Sequence, residues 1–278
     1  MRAQPFRSMA YDFIEIAAVT DVGSVRQFNE DSIATDSAIG VAVLADGMGG
    51  HRAGEVASQM ATQIVMGSLQ SQVAEFRSDA AQHSPIRAIE QSINRANRAV
   101  HDAARAQPMY QGMGTTLALA LFYDNRVALG HVGDSRVYRL RHDVLRLLTR
   151  DDSLLQDQVE LGFIAASEAG ASHNRSLVTQ ALGIAETVSV HPREDEALPG
   201  DIYLLCSDGL NDLVEEADIK LIASSLSANL PLAASQLVQA AKDNGGYDNV
   251  SVILVRVLKP FPASSSRRWF KRLFGWFQ

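Results

Sequence analysis

The sequence predicts an α+β protein made of antiparallel sheets, with its helices in sequential pairs. Three observations lead there. Apolar strand-like runs at 115–123, 126–132 and 135–141 follow one another, with Asp124-Asn125 and Gly133-Asp134 as the turns between them. Stretches with apolar residues at helical spacing come two at a time, at 53–73 and 85–106 and again at about 215–227 and 231–243. Strands and helices do not alternate regularly, which argues against a doubly wound parallel sheet.

In chain order, residues 11–20 (YDFIEIAAVT) read as a strand and 38–45 (AIGVAVLA) as a buried strand that stops at Asp46-Gly47. The first helix pair and the three turn-linked strands follow. Residues 150–183 mix polar and apolar positions without a regular period. A short strand near 187–191 precedes the buried strand 201–206 (DIYLLC), which ends at Ser207-Asp208-Gly209. The last strand is 249–257 (NVSVILVRV). These readings divide the chain into an N-terminal tail 1–10, one folded body 11–258, a linker 259–266 (KPFPASSS) and a distinct segment 267–278. Met9 is a candidate start, which would leave residues 1–8 as a frayed tail or outside the true chain.

The 278 residues suit one large domain or two small ones with a sizeable core. A formal net charge of −7 disfavours a nucleic-acid partner. The single cysteine, Cys206, allows no internal disulfide and points to a reducing, cytoplasmic compartment. No apolar run approaches the roughly 18–20 residues of a membrane span, and the basic N-terminus lacks the apolar stretch of a secretory signal. None of the four lysines follows a glycine, so there is no Gly-Lys-Ser/Thr phosphate loop.

The chemistry lies in where the aspartates fall on the strands. Asp46 and Asp208 end buried strands and each precedes a glycine; Asp248 begins the last strand; Asp134 sits in a turn; Asp31 precedes a short apolar stretch. In antiparallel sheets one edge collects the ends of some strands and the starts of their neighbours. All five carboxylates can therefore meet at one edge, as an oxygen-rich site for hard cations such as Mg2+ or Mn2+. Gly47 and Gly209 would let the backbone turn sharply beside whatever the aspartates hold. For any one position, an Asp-Gly turn is the plainer explanation.

Taken in order, Arg26-Gln27-Phe28-Asn29-Glu30-Asp31, Asp46-Gly47-Met48-Gly49-Gly50, Gly114-Thr115-Thr116, Gly133-Asp134-Ser135-Arg136, Ser207-Asp208-Gly209-Leu210 and Asp248-Asn249 resemble the motif set of the PPM family, the type 2C metal-dependent protein phosphatases, in its bacterial form. The resemblance covers about 11–258, which would be the catalytic domain. It implies a four-layer α-β-β-α sandwich, two antiparallel sheets flanked by antiparallel helix pairs. It implies a phosphoserine/phosphothreonine phosphatase using two to three divalent cations, Mn2+ or Mg2+, and a metal-activated water without a phosphoenzyme. By matched position, Asp46 would bridge two metals and Gly47 would offer its carbonyl. Asp208 and Asp248 would complete one site. Glu30 and Asp31 would act at or near the ligand shell, partly through water. Asp134 would share a third, weaker metal with Asp208, and Arg26 would grip the substrate phosphate. The catalytic set is then Arg26, Asp46 and Asp208. The implied partners are phosphorylated proteins, with a cognate bacterial Ser/Thr kinase and its targets, acting on a monomer. A non-catalytic regulatory module, or hydrolysis of another phosphoester, are the alternatives.

The pattern departs in places. Some relatives carry a histidine after the Asp-Gly pair as general acid; here it is Met48, leaving His51 as a weak candidate proton donor. Residues 149–183 correspond to the family's flap beside the active site, but begin Asp151-Asp152-Ser153 where relatives often read Asp-His-Ser, and lack the usual proline around 172–175. No arginine closes a phosphate loop after Cys206, so cysteine chemistry is not expected. His131 reads as a structural or surface group.

Wound as a helix at about 100° per residue, 267–277 puts Arg267, Arg268, Lys271 and Arg272 on one face and Trp269, Phe270, Leu273, Phe274, Trp276 and Phe277 on the other. Such a short basic amphipathic segment suits peripheral contact with an anionic inner membrane surface; a disordered tail, or a helix docked on the body or on a partner, are the plainer alternatives.

Overall fold

Alternate residues of the buried strands face different layers, and this parity builds the fold. The computed structural model describes residues 13–50, 52–78, 84–165 and 177–261. The expected tail 1–10, His51, the 172–175 stretch, linker residues 262–266 and the segment 267–278 lie outside the described residues.

The strands are β1 (Ile14–Asp21), β2 (Asp31–Asp36), β3 (Val41–Met48), β4 (Gly114–Thr115), β5 (Leu117–Tyr123), β6 (Arg126–Val132), β7 (Arg136–Arg141), β8 (Val144–Leu147), β9 (Arg193–Glu196), β10 (Ile202–Cys206) and β11 (Val250–Val257). The helices are α1 (Ala53–Ser78), α2 (Pro85–Ala106), α3 (Leu154–Glu160), α4 (Asp208–Asn211), α5 (Glu216–Ser225) and α6 (Leu230–Asp243). One sheet runs β1-β11-β10-β7-β8 and the other β2-β3-β5-β6-β9, with β4 added to the end of β3; every pairing within them is antiparallel.

Three apolar layers hold this together. On β3, Val41, Val43 and Ala45 pack against Ala61, Val65 and Leu69 of α1 and Ile89 and Ile93 of α2. Ala42 and Leu44 point the other way, into a core between the sheets, where they join Tyr203 and Leu205 of β10 and Ile253 and Val255 of β11. The remaining faces of β10 and β11, with Leu204, Cys206, Val252 and Leu254, meet α5 and α6. Both sheets are covered on both faces, so their central strands are continuously apolar. The result is the expected α-β-β-α sandwich. On α6, Leu230, Ala233, Leu237 and Ala241 repeat at helical spacing and fill one face.

Several expectations are corrected. The strand expected to stop before Asp46 runs on to Met48, because β4 pairs with Gly47 and Met48. β2 (DSIATD) was not anticipated; it is a polar edge strand held by register with β3. Strands β6 and β7 do not pair as neighbours: the Gly133-Asp134 turn carries the chain from one sheet to the other. Between β5 and β8 the hairpins turn at Asp124-Asn125 and at His142-Asp143, all four residues with positive φ, and the second yields β8. The strand near 187–191 lies at β9 instead, and α3 occupies part of the stretch read as irregular. The folded body also extends past 258. Phe261 is only 4% exposed, stacks on Phe13 with centroids 5.6 Å apart, and donates its N–H to Asn125 Oδ1 at 2.7 Å.

No helix among the described residues is long and apolar enough to cross a membrane.

Candidate metal centre

The same parity that turns Leu44 inward turns Asp46 inward, at the open end of the inter-sheet core. Asp31 opens β2 directly opposite Asp46 in the ladder. Asp208 follows β10, Asp248 stands two residues before β11, and Asp134 lies in the β6–β7 crossing. The expected convergence of strand ends and starts on one edge is what the fold produces. Asp31 and Asp134 are buried, Asp46 and Asp208 are partly open at the mouth, and Arg26 and Asp248 form the rim.

The sharp turn expected at each glycine is absent. Gly47 lies inside a strand and Gly209 inside α4, and neither has a positive φ. Close approach of backbones is the reason for both. A Cβ on Gly47 would sit 2.2 Å from the Gly54 carbonyl oxygen, and one on Gly209 would sit 2.1 Å from that of Asn249.

A set of neutral side chains fixes the carboxylates. Ser207 Oγ donates to Asp31 Oδ2 at 2.9 Å, joining β2 to the other sheet, and accepts from Ser251 N at 2.9 Å. Thr116 Oγ1 accepts from Asp46 N at 3.0 Å, and Thr115 Oγ1 donates to the Asp46 carbonyl at 2.8 Å. Thr116 Oγ1 also shares a 2.7 Å hydrogen bond with Ser135 Oγ, next to Asp134. The Asn249 amide accepts from Glu30 N at 2.8 Å and donates to the carbonyls of Val22 at 3.0 Å and Phe28 at 2.9 Å, pinning the loop that carries Arg26. Sequence reasoning gave none of these groups a role. Thr115, Thr116 and Asn249 stood in the recognised motifs, but their contacts are long-range and leave no local signal.

Arg26 Nη2 donates to Asp248 Oδ2 at 2.7 Å, and this raises the guanidinium pKa. Glu30 is drawn down by Arg26 and by the Gly54 and Glu55 amides at the start of α1, but burial outweighs them and its pKa is raised. Met48, which takes the place of a proton donor, pairs with Gly114 in the β3–β4 ladder and has no proton to give. His131 is buried within β6, and burial lowers its pKa.

The carboxylates are crowded and poorly solvated. Burial, opposed by hydrogen bonds from Ser251 and Ser207 and reinforced by the charge of Asp248, lifts Asp31 to about 6. Burial and the charge of Asp151 lift Asp134 to about 6. Burial and the charges of Asp134 and Asp248 lift Asp208 to about 8. Desolvation and the charges of Asp31, Asp208 and Asp134 raise Asp46 well above the ordinary range. Near neutral pH such a cluster must hold protons or bind cations.

The donor set fits hard divalent cations. Glu30 Oε1, Asp31 Oδ1 and Asp208 Oδ1 are buried oxygens without a hydrogen-bond partner, which is costly unless a cation takes them. Among the described residues no three His, Cys, Asp or Glu side chains close on one point as a filled ligand shell would. A groove of about 430 Å³ opens beside Asp134 and Asp208, between α3 and the segment leading into α5.

The Protein phosphatase 2C family profile matches residues 23–240, which include Arg26 through Asp208 and leave Asp248 beyond the match. The chain is 37% identical over 248 residues to the serine/threonine protein phosphatase PstP of Mycobacterium tuberculosis, covering 88% of this chain and 45% of that one. It thus spans about half the length of that relative. It is 34% identical over 239 residues to the serine/threonine phosphatase stp of Listeria innocua, covering 85% and 93% of the two chains. A crystal structure of the PstP catalytic domain in complex with two manganese ions superposes with a TM-score of 0.76 at 37% identity, covering 89% of this chain and 99% of that one. With the motif residues gathered at one end of the two sheets and the family profile spanning most of the fold, the chain belongs to the Protein phosphatase 2C family.

Proposed function

We propose that this chain is a metal-dependent phosphatase of phosphoserine and phosphothreonine in proteins. The carrying observation is the row of buried carboxylate oxygens without partners at the end of the inter-sheet core. Asp46, Asp208 and Asp248, with the Gly47 carbonyl, would hold two cations. Asp134 and Asp208 would hold a third, and Glu30 and Asp31 would act beside them or through water. Mn2+ or Mg2+, when bound, supplies Lewis acidity and makes water a nucleophile near neutral pH. Asp46 is held from behind by Thr115 and Thr116, and Asp31 by Ser207, so the acceptor oxygens are oriented before any ligand arrives. Arg26, exposed at the rim, presents a guanidinium whose planar donors match a phosphate. The relatives named above as serine/threonine phosphatases support the substrate class.

Phosphate release from phosphothreonine peptides tests this reading with Mn2+, with chelator, and with Asp208→Asn. Loss of several kcal/mol of charge stabilisation corresponds to a fall of about a hundredfold or more for the variant. Activity that survives chelation or the substitution would overturn the metal mechanism. A folded protein inert in every condition would favour the regulatory module.

The partners we propose are a Ser/Thr kinase and its phosphorylated targets in the cytoplasm, met by a monomer. Peripheral attachment of 267–277 to anionic membrane rests on its charge pattern. Equal cosedimentation of full-length protein and residues 1–263 with anionic liposomes would rule it out.

A further inference from the structure

The β6–β7 turn carries Asp134 between the two sheets, with Ser135 tied to Thr116 beside it. Gly133 adopts φ +102°, a conformation that glycine alone holds cheaply, and the turn spans two sheets without strand pairing of its own. Two consecutive aspartates hold it from outside. Asp152 Oδ2 accepts from Gly133 N at 3.0 Å, and Asp152 N donates back to the Gly133 carbonyl at 2.7 Å. Asp151 accepts from Arg136 Nε at 3.1 Å and from Nη2 at 2.7 Å. Asp134 is therefore clamped on both sides, at Gly133 and at Arg136, by neighbours at the start of the 149–183 segment.

Asp152 also gathers the other limb of that segment. Its Oδ2 accepts from Gln180 Nε2 at 3.1 Å, and its carbonyl accepts from Thr179 N at 2.8 Å. Only 6% exposed, it joins three stretches of chain at one carboxylate.

We propose that Asp152 is a positioning residue for Asp134, setting the cation affinity of the Asp134–Asp208 edge and tying it to the chain at Thr179 and Gln180. The inference rests on the metal-dependent phosphatase reading. Hydrogen-bonded supports of metal ligands contribute about ten- to a hundredfold in metal affinity, so the effect is readable without any assay of catalysis.

The experiment is Mn2+ titration of the full chain by calorimetry, comparing wild type, Asp152→Ala, Asp152→Asn, Asp134→Asn and the Asp134→Asn/Asp152→Ala double variant. Asp152→Ala should weaken the weakest Mn2+ step about tenfold and leave the tighter steps within about twofold. Asp152→Asn keeps an acceptor oxygen and should stay within about twofold of wild type throughout. In the Asp134→Asn background, Asp152→Ala should add no further loss, since both act on one site. A wild-type isotherm from Asp152→Ala, equal weakening of every step, or an undiminished effect in the double variant would overturn the proposal. If Asp152→Ala does not fold, Gln180→Ala removes one of the two donors to Oδ2 and should weaken the same step by about threefold; no change would overturn it. Absence of Mn2+ uptake by wild type would overturn the phosphatase reading and this inference with it.

Discussion

Asp31 and Asp46 are cross-strand partners, directly opposite in the β2–β3 ladder on the face between the two sheets. Like charges so placed repel, and here both are also withdrawn from water. The fold tolerates the pair because protons or cations neutralise it.

That gives the metal-free protein an unusual pH dependence. Asp31 and Asp134 have folded-state pKa values near 6 and Asp208 near 8, all above the ordinary 3.8, so the folded state binds more protons than the unfolded one. Their contribution to stability is fully present below about pH 4 and is lost as pH rises through 6 and then 8. Thermal melts of chelated protein should show Tm falling from pH 5.5 to 8.5. Mn2+ should raise Tm most at the alkaline end. A flat metal-free profile would contradict the crowding.

Arg26 and Asp248 form an ion pair at the rim, with side chains 48% and 37% exposed. Exposed pairs contribute about 1 kcal/mol or less, so Arg26→Ala should shift Tm by less than about 3 °C. Removing a charge-assisted hydrogen bond to phosphate should raise KM for phosphopeptides about ten- to a hundredfold. Arg26→Lys should not restore it, because lysine lacks the planar fork. An unchanged KM would remove Arg26 from phosphate binding.

Cys206 is wholly buried in β10 and its thiol is pushed up to about 12, chiefly by burial. Iodoacetamide should leave the folded protein unlabelled at pH 8 and its activity intact, as read by intact-mass spectrometry beside the phosphatase assay. Rapid labelling with loss of activity would reopen a cysteine role.

Phe261 stacks on Phe13 and lies in the inter-sheet core cluster. A buried aromatic truncated to alanine costs about 3–5 kcal/mol in a rigid core, and somewhat less where the surroundings can collapse into the space. Phe261→Ala should therefore lower stability by about 2–3 kcal/mol in urea unfolding. A chain ending at 258 should be equally weakened relative to one ending at 261. Equal stability would restore 258 as the boundary.

By itself the sequence determined the apolar strands, both helix pairs and the five aspartates at strand ends and turns. These are local signals: uninterrupted apolar runs, helical spacing and Asp-Gly pairs. It also determined the family, because the motifs occur in order. Tertiary structure decided the rest. β2 is too polar to announce itself and exists through its register with β3. Gly47 and Gly209 are required by neighbouring backbone from distant parts of the chain, not by turns. Ser207 meets Asp31 across 176 residues, and Asn249 meets Glu30 across 219. Asp152, notable in sequence only as a departure from its relatives, became a clamp on the Asp134 turn once the sheets were stacked. Such contacts depend on how the two sheets face each other, and no periodicity along one strand encodes that.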